Sequence, residues 1–192
     1  MYDAEIRKKT ERKINGFYDS AVKSFLKFCE KNLYKSAAFE FTADNGENFR
    51  PFGAVITFEA AYNKQDFLCV FLDINIYAGK GRGNTVRKAH IWKPDGGELL
   101  PPEQFIKFTR PFKKKICGYI CEVMEKQIEN GEEYYIKYDM PYVYKYLNMK
   151  NFYLSEKGYT FFFPQNTVAP FDSGIMPFEI PGKIMEDLFS DS

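Results

Sequence analysis

One histidine and four cysteines bound the side-chain chemistry open to this chain of 192 residues. His90 is the residue whose ordinary pKa lies near neutrality, and a lone imidazole cannot build a histidine-rich metal cluster. Alternation along Asn84–Lys93 puts His90 on one face with Val86, Lys88 and Trp92, and turns Arg87, Ala89 and Ile91 to the other. No serine or cysteine has a nucleophile context such as GxSxG. His90 is therefore expected to be an exposed or hydrogen-bonded strand residue and not a catalytic base. Cys29, Cys69, Cys117 and Cys121 form no CxxC pair, which argues against a zinc ribbon or a thioredoxin-type redox site. All four have apolar neighbours and are expected to be buried free thiols. Free thiols fit a reducing compartment.

Anion chemistry would need backbone amides and cations, and Gly79-Lys80-Gly81-Arg82-Gly83 supplies both. The full phosphate-loop pattern is absent and no helix follows. The expected role is a strand connection that uses glycine at positive φ. Lys113-Lys114-Lys115 opens a helical segment, where cations oppose the dipole. Glu132-Glu133 and Glu186-Asp187 are adjacent carboxylates whose side chains diverge. A solvated surface is the expectation for them.

The segment Phe163 to Gly174 is the most suggestive loop. It sets Pro164, Pro170 and Phe171 among small polar residues. Proline stiffens a loop and lowers the entropic cost of binding, and loops on rigid scaffolds commonly carry recognition. Two readings stand: Phe171 offered to a partner, or Phe171 tucked into the core.

The elements that must position these residues follow from patterning. Asp3 to Phe41 reads as one long helix, with Ile6, Ile14, Phe17, Ala21, Phe25, Phe28 and Leu33 along one face. Phe52–Tyr62 and Phe67–Tyr77 predict an antiparallel hairpin with one buried face, and Asn84–Lys93 a third strand. A short helical turn is expected at Pro101–Phe105 and a second helix at Pro111–Asn130, stopped by Gly131. Residues 132–150 read as irregular and tyrosine-rich, with short helical turns. Phe152–Leu154 and Tyr159–Phe163 predict another hairpin, Met176–Ile180 a last strand and Gly182–Phe189 a closing helix. This order predicts an α+β fold, with a long N-terminal helix and a second helix packed on antiparallel sheet. One domain over residues 1–192 is expected, in two sub-halves at about 1–100 and 101–192.

Composition agrees. Hydrophobic residues are 45% and aromatics 18%, which suits strands and a thick core. A net charge of +1 implies no general grip on nucleic acid or anionic membrane. No apolar run reaches the ~18 residues of a membrane span, and the charged N-terminus does not look like a signal peptide. These features predict no metal, no cofactor, no nucleic-acid partner and a cytoplasmic chain. The alternative is an extracellular protein whose leader or anchor has been removed.

The C-terminal run resembles a known family. Phe152-Tyr153-Leu154-Ser155, Gly158, Tyr159 to Phe163, Val168-Ala169-Pro170-Phe171, Ser173-Gly174 and Phe178-Glu179-Ile180-Pro181 resemble the signature of a bacterial domain of unknown function, the RsiV-like domain. It forms the outer part of the anti-sigma-V factor and accompanies peptidoglycan deacetylases of the PdaC type. Tyr77 to Gly97 resembles the family's glycine-rich stretch and the turn after it, and Ile14-Asn15 its helix opening. The family's Ala-His within the glycine stretch is Gly81-Arg82 here, preceded by Lys80, and its loop tyrosine is Phe171. The resemblance implies a receptor-like domain that meets a lysozyme-like protein through Pro170 and Phe171. Together with the lack of a catalytic constellation it predicts a non-enzymatic binding or sensor module for a protein or glycan, with Ala169, Pro170, Phe171, Asp172, Ser173 and Gly174 as its contact loop and Lys80 and Arg82 in the glycine connection beside it. The alternatives are an enzyme or accessory domain acting on cell-wall glycan, and a cytosolic assembly protein.

Overall fold

The computed structural model describes residues 2–43, 45–64, 66–79 and 81–190, with side chains from residue 8 onward. Lys80 lies outside the described residues, as does the side chain of Ile6. The fold is α+β, as the element order predicts.

Helix α1 (Tyr2–Phe28) runs through a π-helical stretch (Cys29–Tyr34) into α2 (Lys35–Ala43), which is the long helix expected from the 3.6-residue spacing. Four strands follow: β1 (Phe52–Asn63), β2 (Leu68–Ala78), β3 (Asn84–Lys93) and β4 (Glu98–Leu100). They form one antiparallel sheet in sequence order. Strand β4 has three residues, too few to show an alternation. Helix α3 (Arg110–Glu129) begins at Thr109, whose hydroxyl accepts the backbone N–H of Phe112 at 3.3 Å. A further helix, α4 (Met140–Tyr146), replaces part of the irregular segment expected there. Its cap is Asp139, whose carboxylate accepts the N–H of Tyr142 at 3.0 Å. Strands β5 (Phe152–Leu154), β6 (Gly158–Phe163) and β7 (Met176–Pro181) form a second antiparallel sheet, and α5 (Gly182–Ser190) closes the chain.

The main core lies where α3, α4 and α5 cover the second sheet. Ile116, Ile120, Met124, Val143 and Met185 meet Phe161, Phe163, Phe178 and Ile180 there, all buried. Fully burying one such side chain contributes about 1.5–3 kcal/mol, so this layer outweighs the exposed ion pairs of the molecule.

Each face of the first sheet is covered in part, which corrects the expectation of a single buried face; Val55, Phe58 and Val86 stay exposed. On one side Phe71 meets Tyr153 at a 42° tilt with centroids 4.9 Å apart, and the Leu154 N–H donates to the Cys69 sulfur at 3.3 Å, so the two sheets join. Between them Arg87 makes two 2.7 Å hydrogen bonds to Asp73 and lies 3.9 Å from the Phe71 ring centroid. Asp73 and Asn75 of β2 are therefore turned to the side of the second sheet and are partly buried. On the other side α1 lies across the strands. Trp92 Nε1 donates to the Tyr18 hydroxyl at 2.8 Å, and Phe17 meets His90 and Trp92 edge-on.

Two further expectations change. Cys69 and Cys117 are buried, but Cys29 and Cys121 are only partly so. His90 is neither exposed nor hydrogen-bonded at Nδ1, which is buried without a partner among the described residues. The rings of α1 fold over it. No described helix is long and apolar enough to cross a membrane.

Candidate functional site

The two loops singled out by sequence meet. The β2–β3 connection needs glycine at Gly79, where φ is +72° and a Cβ would sit 2.9 Å from the Arg50 carbonyl oxygen. Arg82 lies in this connection between the two inner strands and is exposed. The second loop leaves β6 at Phe163 and returns at β7.

That loop is anchored from below. Val168 and Ala169 are buried, at 0% and 1% exposure, and the Val168 carbonyl accepts the Ile136 N–H at 2.8 Å. The Tyr142 hydroxyl donates to the Thr167 carbonyl at 2.9 Å. Ala169 is thus a foot of the loop and shows a ligand almost no surface. Beyond it, Pro170 introduces a 3-10 turn, Phe171–Ser173, ended by Gly174 at φ +71°. Pro170, Phe171, Ser173 and Gly174 are partly exposed and Asp172 is exposed. Phe171 takes a middle course between the two readings. It is partly covered, yet it is not among the described side chains packed on the main core.

Arg82 Nη1 lies 2.6 Å from Asp172 Oδ2, which joins the glycine connection to the proline turn. A second clamp sits beneath this pair. The Gln165 side-chain carbonyl accepts the Thr85 N–H and its amide donates to the Phe171 carbonyl, both at 2.8 Å. Asn75 Nδ2 donates to the Thr85 hydroxyl at 2.8 Å, and Ser173 donates to the Glu133 carboxylate at 3.3 Å. Gln165 was missed by sequence reasoning, and Glu133, expected on a solvated surface, is partly buried and pairs with Ser173. Gln165 lies within the flagged loop, but an amide gives no sign of a partner on β3.

Burial pushes the thiols of Cys69 and Cys117 up to about 11 and about 12, and the Tyr18 and Tyr135 hydroxyls up to about 12. Such thiols are weak nucleophiles at neutral pH. Among the described residues no group of three or more His, Cys, Asp or Glu side chains is placed to hold a metal ion. Within the Lys113–Lys115 run, the Lys113 ammonium lies 4.6 Å from the Tyr144 ring centroid on α4.

Comparison with known proteins bears on the C-terminal half. Residues 103–183 match the family described as "Protein of unknown function (DUF3298)". A solved DUF3298-family structure from Bacteroides fragilis NCTC 9343 aligns with a TM-score of 0.61 at 16% identity, over 88% of this chain and 66% of that one. A second, from Pseudomonas aeruginosa PAO1, aligns with a TM-score of 0.51 at 10% identity, over 76% of this chain and 66% of its own. The chain therefore spans just under two thirds of the length of each. At these identities the likeness is one of fold. No curated protein matches the sequence.

Proposed function

We propose that the protein, whose residues 103–183 carry the DUF3298 pattern, is a non-enzymatic binding module of the RsiV-like kind. It takes a protein partner on the rim formed by Arg82 and the turn Pro170–Gly174. The observation that carries this reading is the 2.6 Å Arg82–Asp172 ion pair. It turns two loops from different sheets into one surface, presented on a rigid scaffold. A protein is favoured over a glycan because Phe171 is partly covered, which limits it as a stacking platform.

Calorimetry with hen egg-white lysozyme tests the reading, with Pro170→Ala/Phe171→Ala as the control. Saturable binding that the double variant loses, with its fold intact by circular dichroism, is the expected result. Absence of heat from the folded protein would overturn the lysozyme-like partner. Binding of chitotetraose in its place would move the ligand class to glycan, and its hydrolysis would favour the enzyme reading.

A further inference from the structure

A second feature lies away from this rim, where α1 crosses the first sheet. A groove of about 330 Å³ runs between them, within the usual range for small-molecule pockets of ~300–1,000 Å³. Its wall is Phe17, Ala21 and Phe25 of α1, and its floor is Ile56 of β1 with Leu72 and Ile74 of β2. These six side chains are apolar, so the occupant's body must be apolar.

The polar groups are few and sit to one side. Lys88 and His90 line the groove from β3, two residues apart on one face and paired across to Leu72 and Val70. Lys88 has neither an ion pair nor a hydrogen bond among the described residues. His90 Nδ1 is buried and has no hydrogen-bond partner there, although buried polar atoms are normally paired. Ser24 also lines the groove, but its hydroxyl already donates to the Ser20 carbonyl at 2.8 Å. The polar groups left for a ligand are therefore one ammonium and one imidazole. Phe17 and Tyr18 hold the imidazole ring edge-on, at centroid distances of 5.0 Å and 5.8 Å. The site is preorganised in this sense.

We propose that this groove binds a medium-chain alkyl carboxylate, its chain between α1 and the floor of β1 and β2 and its single negative charge at Lys88 beside His90. A monoanion with an apolar tail matches one free cation and six apolar walls. A phosphate or an acidic peptide would leave charge uncompensated against Ile56, Leu72 and Ile74.

Trp92, the one tryptophan of the chain, packs against Phe17 at 5.1 Å and serves as a reporter. Titration of the full chain with decanoate below its micelle concentration, read by Trp92 emission and by calorimetry, tests the site. Saturable 1:1 binding is expected. Ala21→Phe fills the groove and should weaken it at least tenfold. Lys88→Met keeps the stem but not the charge. It should weaken decanoate at least tenfold and leave 1-decanol within twofold. Lys88 is exposed, so its variant keeps the test valid if Ala21→Phe misfolds. Lack of saturable binding, undiminished binding by folded Ala21→Phe, or equal weakening of acid and alcohol by Lys88→Met would each overturn the proposal.

Discussion

Arg82 and Asp172 stand in loops from different sheets, yet their charged atoms are 2.6 Å apart. Both side chains remain mostly exposed, at 62% and 71%. A pair so open to water contributes about 0–1 kcal/mol to stability. Arg82→Ala and Asp172→Ala should thus each change the urea midpoint little. If the pair shapes a recognition rim, each should still weaken partner capture, and the swap Arg82→Asp/Asp172→Arg should restore part of it. A large loss of stability in either single variant would assign the pair to the fold instead.

Asp73 and Arg87 behave in the opposite way. Their side chains are 23% and 13% exposed, and the guanidinium lies over Phe71 between the sheets. Removing one partner strands the other charge, which costs about 3–5 kcal/mol for a buried pair. Arg87→Met and Asp73→Leu should each be strongly destabilising in urea melts. The double variant should be less destabilised than the sum, because it leaves no orphan charge.

His90 makes stability depend on pH. Burial, and then the nearby Lys88, lower its pKa below the ordinary 6.5. Tyr18 faces it from α1 and is uncharged in this range, its own pKa being about 12. The unfolded chain therefore binds the proton more readily than the native one. His90's contribution is complete above about pH 6.5 and is lost as pH falls from there through the native pKa. His90→Gln should flatten the dependence of the urea midpoint on pH over that window. An unchanged slope would remove His90 as its source.

The thiols offer a test of packing. Cys69 and Cys117 are buried, with pKa values pushed to about 11 and about 12 by desolvation. Cys29 and Cys121 are partly exposed. Iodoacetamide at pH 8, followed by peptide mass spectrometry, should label Cys29 and Cys121 first. Cys69 and Cys117 should react only on unfolding.

Gly158 takes φ +152° in the β5–β6 turn, and a Cβ there would collide with the Ile180 carbonyl oxygen and approach the Gly182 nitrogen to 2.6 Å. Both obstacles are backbone and cannot rotate away. Gly158→Ala should cost about 2–4 kcal/mol in thermal or urea melts.

Periodicity by itself determined the longer elements, but not α4 or the three-residue β4. The 3.6-residue stripe of Ile14, Phe17, Ala21 and Phe25 marks α1, and the alternation of β2 and β3 gives the faces of His90 and Arg87. Turn chemistry marked the glycine connection and the proline loop, because glycine and proline restrict the backbone locally. What those local rules cannot carry is which surfaces meet. Alternation says that Asp73 and Asn75 share a face, but only the second sheet makes that face an interior. Both loops were visible, and the Arg82–Asp172 contact was not, since pairing between distant segments depends on how two sheets and their helices pack. Ala169 stands beside Pro170 in sequence, yet packing buries one and leaves the other partly open. The groove beneath α1 arises likewise, from how a helix lies across a sheet and where its side chains leave space.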